Sequence, residues 1–273
     1  MAGAFKNTVK TVRALVLSGY GINCEKEMAK GAALAGADVV IAHAKAWLLG
    51  EIHLSDFHLL LFPGGFSFGD ELGAGKAFAN RIAFSKRSED LAQFIENGRC
   101  ILGVCNGFQL LVKLGILPGM KKIPEAALIR NRTGRFESRW VHQKVVPSRC
   151  VFTNGLTDLY LPVRHGEGNF VMPEVEKLLA DGLIAMHYTT PSGIPSQEFP
   201  HNPNGSQLAI SGISDPTGRV LGMMPHPEAA LFFTQLPDWI RQKEEKKRTG
   251  QPIPTYGPGL SLFKNAIDYL RQT

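Results

Sequence analysis

Long hydrophobic runs are absent from this sequence. No stretch is apolar for long enough to span a membrane, and residues 1–7 contain no apolar core of the kind found in signal peptides. Internal repeats and low-complexity tracts are also absent. With 44% hydrophobic and 20% charged residues, the composition is that of an ordinary globular protein. We therefore expect a soluble, non-exported protein that works in the cytoplasm.

Cysteine is scarce, and common ligand-binding signatures are missing. The four cysteines, at positions 24, 100, 105 and 150, have neither the spacing of metal ligands nor the density of a disulfide framework. The sequence therefore predicts no metal site. Neither a Gly-x-Gly-x-x-Gly turn nor a phosphate loop ending in Gly-Lys-Ser or Gly-Lys-Thr is present, so we expect no cofactor in this chain. The net charge of +6 says little by itself.

The N-terminal half alternates apolar runs with segments of helical composition. Strands buried on both faces are continuous apolar runs, so this pattern predicts an α/β fold with an open, mostly parallel sheet flanked by helices. The expected strands are residues 14–17, 39–41, 59–62 and 100–104, and the expected helices are residues 25–34 and 88–96.

The C-terminal half has a different pattern. Short strand candidates and turn signals alternate between residues 130 and 225, which adds antiparallel strands to the fold. Residues 237–259 are polar, charged and rich in proline and glycine, so they predict an exposed insertion. Residues 260–271 predict a final helix with one apolar face. We interpret residues 1–273 as one domain.

The most informative segment is residues 103–107, Gly-Val-Cys-Asn-Gly, which follows an apolar strand and precedes a helical run. This is the context of a nucleophile elbow, in which glycines two residues either side relieve crowding around a strained nucleophile. The helix N-terminus beyond the turn favours a thiolate, so Cys105 is the candidate nucleophile. Taken alone, the pattern is also typical of a buried cysteine in a tight turn.

A thiolate nucleophile needs a histidine as base and a third group that orients it. His226 follows the apolar strand at residues 220–223, and Pro227 favours an extended conformation for it. Residues two apart point the same way in an extended chain, so Glu228 is the expected orienting group. The alternative is a surface histidine beside an unrelated glutamate.

A glycine-rich loop at residues 63–70 follows the third strand. Glycines at a strand end leave backbone N–H groups open to a ligand. With the N–H of Asn106, the N–H groups of Gly64, Gly65 and Phe66 are candidates to stabilise an oxyanion. A plain glycine turn and a phosphate loop are the alternatives.

The elbow, the Pro-Gly-Gly loop and the His-x-Glu pair, in that order, resemble class I glutamine amidotransferase domains. The resemblance is closer to the glutaminase part of formylglycinamidine ribonucleotide synthases and extends from residue 13 to about residue 230. The segments that carry it are residues 21–25, 63–70, 105–109, 131–137, 165–168, 202–206 and 225–228.

The resemblance implies a flavodoxin-like fold and a glutaminase that passes ammonia to a synthetase subunit, which uses ATP and Mg²⁺ to convert formylglycinamide ribonucleotide to the amidine. A small accessory subunit is also implied, and no nucleic acid or membrane partner. Cys105 is then the nucleophile, His226 its base and Glu228 the orienting group, and Gln109, one helical turn beyond Cys105, lies near the glutamine. The insertion at residues 237–259 departs from the family pattern.

Other residues have less specific interpretations. His165 fits a structural or partner-contact role better than a second catalytic site, and Cys24 fits packing at a helix start because no histidine can be assigned to it. The charge run at residues 243–248 fits a solvated face. A second basic group fits either a solvated face or contact with an acidic partner or phosphates, and consists of Arg130, Arg132, Arg135 and Arg139. Two rival functions remain, another cysteine hydrolase of the same fold and a non-catalytic regulatory subunit.

Overall fold

The apolar runs of the sequence form the strands of one large sheet. The computed structural model describes residues 11–85, 87–121 and 123–273. Within these residues the strands are β1 Arg13–Ser18, β2 Asp38–His43, β3 Leu59–Phe62, β4 Cys100–Val104, β5 Ala127–Arg130, β6 Glu137–Val145, β7 Asp158–His165, β8 Glu167–Val171, β9 Ile184–Thr189, β10 Ile210–Ser214 and β11 Val220–Met223. Residues 1–7, on which the expectation about export rests, lie outside the described residues.

The helices of the described chain are α1 Glu25–Leu34, α2 Ala44–Leu49, α3 Lys76–Ala83, α4 Ser88–Glu96, α5 Asn106–Lys113, α6 Glu176–Ala180, α7 Trp239–Arg248 and α8 Leu260–Gln272. The expected helices at 25–34 and 88–96 are α1 and α4, and the expected final helix is α8. The predicted apolar face of α8 is buried through Leu262, Phe263, Ala266, Ile267 and Leu270. In the described part of the chain, every helix is too short or too polar to cross a membrane.

The strand order in the nine-stranded sheet is β2-β1-β3-β4-β11-β10-β9-β6-β7, and β5 pairs with β8 in a separate two-stranded sheet. Pairings from β2 to β11 are parallel. Pairings from β11 to β7 are antiparallel. The α/β fold class is therefore confirmed, as a mixed sheet in which the antiparallel part is as large as the parallel part.

The parallel half sets the position of the site. Its order matches the flavodoxin-like arrangement, in which ligands bind beyond the carboxyl ends of the strands at the point where the order reverses, between β1 and β3. The loops after β1, β3, β4 and β11 all leave from these carboxyl ends. The segments that carry Cys24, Gly65, Cys105 and His226 are therefore brought to one edge of the sheet.

The sequence interpretation missed four helices of the described chain, α2, α3, α6 and α7. α2 and α3, with six and eight residues, are too short for a clear helical period. α7 lies inside the predicted insertion and has no buried residue, so its sequence carries no apolar stripe. Ion pairs three and four residues apart support it instead, from Arg241 to Asp238 and Glu245 and from Lys247 to Glu244. Most residues from 237 to 259 are exposed, and α7 accounts for ten of these 23 residues.

Candidate active site

Cys105 occupies the turn between β4 and α5. Its backbone has φ 52° and ψ −105°, a strained conformation for a residue with a side chain. The turn is held on both sides, because the Cys105 N–H donates to the Met223 carbonyl at 2.8 Å and its carbonyl accepts from the Gln109 N–H at 3.0 Å. The side chain is 5% exposed. The strand, nucleophile and helix context predicted for Cys105 is therefore present.

The two elbow glycines lie where no side chain fits. A Cβ at Gly107 would lie 2.0 Å from the carbonyl oxygen of Phe62, and a Cβ at Gly103 would lie 2.7 Å from that of Gly107. Both obstacles are backbone atoms, which cannot rotate away as a flexible side chain can. The spacing of these glycines around Cys105 therefore has the steric cause that the sequence suggested.

His226 and Glu228 form a buried pair at the end of β11. Nδ1 of His226 lies 2.6 Å from Oε1 of Glu228, and the two residues are 2% and 1% exposed. The His226 N–H donates to the Pro162 carbonyl at 2.8 Å, which fixes the backbone against β7. The contact is the expected one, but its cause differs. A single 3₁₀ turn at Pro227–Ala229, and not an extended chain, brings the carboxylate beside the ring.

Opposing effects act on the His226 ring. Burial lowers its pKa, but the Glu228 carboxylate, with the sulfurs of Cys105 and Cys24, outweighs burial and holds the pKa of His226 well above its usual value. The imidazolium form is therefore stabilised. Nε2 of His226 is buried and has no hydrogen-bond partner in the described chain. Because Nδ1 is in contact with the Glu228 carboxylate, Nε2 is the ring nitrogen available to exchange a proton with Cys105.

The oxyanion loop offers fewer donors than the sequence suggested. The Phe66 N–H donates to the Gly21 carbonyl at 2.9 Å, so it is not free. The half-buried Gly65 has φ 154°, and its N–H has no hydrogen-bond acceptor among the described residues. The Asn106 N–H, at the first residue of α5, has no acceptor within the helix. Of the four predicted donors, the Phe66 N–H is therefore excluded, and the N–H groups of Gly64, Gly65 and Asn106 stay predictions.

The side chains of Asn106 and Gln109 belong to one buried hydrogen-bond network. Asn106 Nδ2 donates to Gln109 Oε1 at 3.0 Å and to Asp70 Oδ1 at 3.3 Å, and Asn106 Oδ1 accepts from the Ser67 N–H at 3.4 Å. Gln109 Nε2 donates to the Glu167 carbonyl. Both amides are buried and hydrogen-bonded to the protein. A direct contact between Gln109 and glutamine stays a prediction.

The sequence interpretation assigned no role to three charged residues here. Burial, with a contribution from Glu167, raises the pKa of Asp70, and burial lowers the pKa of Lys113. A carboxylate oxygen of Glu167 accepts from the Ala74 N–H at 3.2 Å. Asp70 and Glu167 lie in two of the segments that carry the family resemblance. No local pattern, however, pairs residues so distant in the chain.

Cys24 does not fit the expectation that it lacks an assignable histidine. It lies at the N-terminus of α1, as predicted, but its sulfur contributes to the raised pKa of His226. A ligand atom of Cys24 lies within 4.8 Å of one from His226 and one from Glu228. The prediction was wrong because the loop after β1 and the loop after β11 meet only through the strand order.

His165 is buried against Asn131, which favours a structural role over a partner contact. It is 2% exposed, its Nδ1 lies 3.1 Å from Asn131 Oδ1, and its carbonyl accepts from Asn131 Nδ2 at 2.8 Å. Burial and the positive His226 lower the pKa of His165 to about 3, which keeps its ring neutral. Of the arginines, Arg130, Arg132 and Arg135 are exposed. Arg139 pairs with Glu137 and lies over the ring of Phe199.

Known proteins resemble this chain over nearly its whole length. Residues 11–270 match the family model of the CobB/CobQ-like glutamine amidotransferase domain. A phosphoribosylformylglycinamidine synthase subunit PurQ from Methanococcus maripaludis is 42% identical over 269 residues, covering 95% of this chain and 98% of the relative. The subunit of that name from Dehalococcoides mccartyi is 41% identical over 266 residues, with 96% and 98% covered.

Solved structures agree with these sequence matches. The structure of PurLQS from Thermotoga maritima includes a chain that matches with a TM-score of 0.70 and 26% identity, covering 96% of this chain and 100% of the other. A glutamine amidotransferase from Thermotoga maritima matches with a TM-score of 0.55 at 14% identity, covering 97% and 100%. The second match bears on the fold alone.

Proposed function

This chain belongs to the CobB/CobQ-like glutamine amidotransferase family, and from that premise we propose that it is the glutaminase subunit of phosphoribosylformylglycinamidine synthase. It hydrolyses glutamine to glutamate and ammonia and supplies the ammonia for purine biosynthesis. The observation that carries the proposal is an elbow cysteine beside a buried histidine–carboxylate pair, in a chain 42% identical to a PurQ subunit over 98% of that subunit. The geometry supports the chemistry, and the relatives support the pathway.

The reaction is an acyl transfer through Cys105. The thiolate attacks the side-chain carbonyl carbon of glutamine and forms a tetrahedral intermediate. His226 holds the proton taken from the thiol and delivers it to the departing amine through Nε2, which releases ammonia and leaves a thioester. The same nitrogen then takes a proton from water, whose oxygen attacks the thioester. Glutamate leaves, and the proton returns to the sulfur.

Three features lower the barriers of these steps. The strained backbone of Cys105 presents the sulfur at the end of β4. Glu228 stabilises the imidazolium that forms on His226. The N–H groups of Gly65 and Asn106 stabilise the oxyanion, and one such donor is typically worth about 10²–10³ in rate.

The remaining steps belong to other subunits. A synthetase subunit uses ATP and Mg²⁺ and consumes the ammonia, and this chain itself holds no cofactor. A small accessory subunit, which the family resemblance implies, completes the complex. The family resemblance and the purine pathway both favour a cytoplasmic complex. Hydrolysis by this chain and synthesis by its partner can then be measured separately.

The test is reconstitution with the synthetase and accessory subunits. Formation of the amidine is measured with either glutamine or ammonium chloride as nitrogen source, in the presence of ATP and the ribonucleotide. We expect the wild-type complex to use both, and a complex with Cys105→Ala to use only ammonium chloride. Cys150→Ala, a buried cysteine remote from the site, is the matched control and should use both. Synthesis from glutamine by the Cys105→Ala complex would contradict the proposal.

A further inference from the structure

Cys24 has a place beside the catalytic pair that the glutaminase mechanism does not use. Its sulfur, a ring nitrogen of His226 and a carboxylate oxygen of Glu228 all lie within 4.8 Å of one another. Sulfur, imidazole and carboxylate are the three ligand types that Zn²⁺ prefers in proteins. The three groups lie in the loops after β1 and β11, so the fold and not a sequence motif brings them together.

Two further observations indicate that this cluster can take a ligand. Oε2 of Glu228 is buried and lacks a hydrogen-bond partner within the described residues, and the glutaminase mechanism does not use it. Gly64 keeps the space beside the cluster open, because a Cβ there would lie 2.7 Å from Cε1 of His226 and 3.4 Å from the Cys24 sulfur. Cys24 is partly exposed, which gives an ion a path from solvent to the buried pair.

We propose that Cys24, His226 and Glu228 form an inhibitory site for a thiophilic divalent cation, of which Zn²⁺ is the best match. With bonds of about 2.0–2.3 Å, tetrahedral ligands on zinc lie roughly 3.6 Å apart. The 4.8 Å limit on the ligand separations therefore requires side-chain shifts of about 1 Å or less in each ligand. Water or the substrate completes the coordination. On binding, the Cys24 thiol and the coordinating ring nitrogen of His226 each lose a proton to solvent, and the bonds to zinc form without any oxidation.

Occupancy of this site stops the glutaminase chemistry. The mechanism requires the His226 ring to carry two protons while it holds the one taken from Cys105. A ring nitrogen bound to a metal cannot carry a proton, so the imidazolium cannot form. Glu228, drawn into coordination, also ceases to orient the ring. The inhibition rests on the proposed function, whereas the binding of the metal does not.

Binding is tested on the isolated chain with Co²⁺ as a spectroscopic probe for the zinc site. A thiolate bound to Co²⁺ gives a charge-transfer band in the near ultraviolet, and added Zn²⁺ should abolish it. We expect the band in the wild-type chain, in Cys105→Ala and in Cys150→Ala, and its loss in Cys24→Ala. Circular dichroism checks that all variants are folded. A band that survives in Cys24→Ala, or that disappears in Cys105→Ala, would overturn the assignment.

Inhibition is tested on the assembled complex through glutamate release under Zn²⁺ titration. Loss of groups that merely support a metal ligand costs about 10–100-fold in affinity. The rate of each variant is expressed relative to its own rate without Zn²⁺. On that scale we expect Cys24→Ala to raise the inhibitory Zn²⁺ concentration at least tenfold. A shift below tenfold would show that inhibition does not depend on Cys24 and would overturn the proposal. A wild-type chain with the Co²⁺ band but no glutaminase activity would instead refute the proposed function and leave the metal site standing.

Discussion

Nδ1 of His226 lies 2.6 Å from Oε1 of Glu228, and the two side chains are 3% and 1% exposed. In this pair the histidine transfers the protons and the carboxylate orients the ring. We predict that His226→Ala lowers kcat by about 10⁴ or more, and that the loss in Glu228→Gln is at least about tenfold smaller. Glutamate release by the complex measures both. Glu176→Gln, at an exposed glutamate, is the control and should match wild type. A larger loss in Glu228→Gln than in His226→Ala would reverse the roles.

The Cys105 thiol is chemically essential but small, so its loss should spare the fold. We predict that Cys105→Ala and Cys105→Ser both abolish glutamine hydrolysis, with unchanged circular dichroism and thermal unfolding. A hydroxyl does not replace the thiol, because it is far less acidic and His226 is placed for sulfur. Substantial glutamate release by either variant would mean that another residue is the nucleophile.

Gly107 tests the steric reason for the elbow. A Cβ there would lie 2.0 Å from the Phe62 carbonyl oxygen, whereas one at Gly182 would meet nothing within 4 Å. We predict that Gly107→Ala costs more than about 2 kcal/mol of unfolding free energy, because neither backbone can yield cheaply. Gly182→Ala, at φ 66°, should cost about 1 kcal/mol from backbone strain alone. Urea unfolding compares them, and equal losses would argue against the close approach.

His165 makes the fold sensitive to acid. Burial lowers its pKa to about 3, so below its unfolded value, near 6.5, the unfolded chain binds a proton that the folded chain does not. Stability is therefore lost as the pH falls from about 6.5 towards 3, at up to about 1.4 kcal/mol per pH unit. We predict that His165→Asn removes up to about 2 kcal/mol of the difference in unfolding free energy between pH 6.5 and pH 5.

The matched control for His165→Asn is His53→Asn, at an exposed histidine. In this control, the difference in unfolding free energy between pH 6.5 and pH 5 should equal that of wild type. The comparison uses the change with pH and not the absolute stability, so a general destabilisation by the mutation does not affect it. If His165→Asn showed the same difference in unfolding free energy between the two pH values as wild type, another group would cause the acid sensitivity.

Coupling to the synthetase is expected at the loop of residues 64–75. This loop carries the Gly65 donor, and Phe68 and Asp70 hold positive φ angles within it, so its conformation can be biased from outside. A partner can shift a conformation only if it binds one state better than the other. We predict that the synthetase, with ATP and the ribonucleotide, raises kcat/KM for glutamine at least about tenfold over the isolated chain. Equal values would refute this gating and favour a free-standing hydrolase.

The sequence predicted those parts of the site that are contiguous in the chain. The elbow at residues 103–107 and the His226–Glu228 pair each lie within a few residues, so local steric and hydrogen-bonding rules apply to them. The proximity of Cys24 to His226, and of Asp70 to Glu167, depends on which strands are neighbours. Strand order is set by tertiary packing, and no local pattern records it.

The fold, like the site, was predicted only in part. Continuous apolar runs predicted the buried strands β1, β3 and β4, because burial on both faces leaves a strong signal. The helix α7 could not be identified, because nothing packs on it and its stability comes from ion pairs. The hydrogen bond from the Phe66 N–H to the Gly21 carbonyl could not be predicted either, since it arises from the pairing of two loops.

The covalent intermediate on Cys105 is the most direct measure of the central claim. The complex is mixed with isotopically labelled glutamine, quenched in acid within the first turnover and digested, and the peptides are analysed by mass spectrometry. We predict one glutamyl group bound as a thioester at Cys105, absent from the digest of Cys105→Ala and present in that of the control Cys150→Ala. A glutamyl group on a different residue, or turnover with no label on Cys105, would contradict the account.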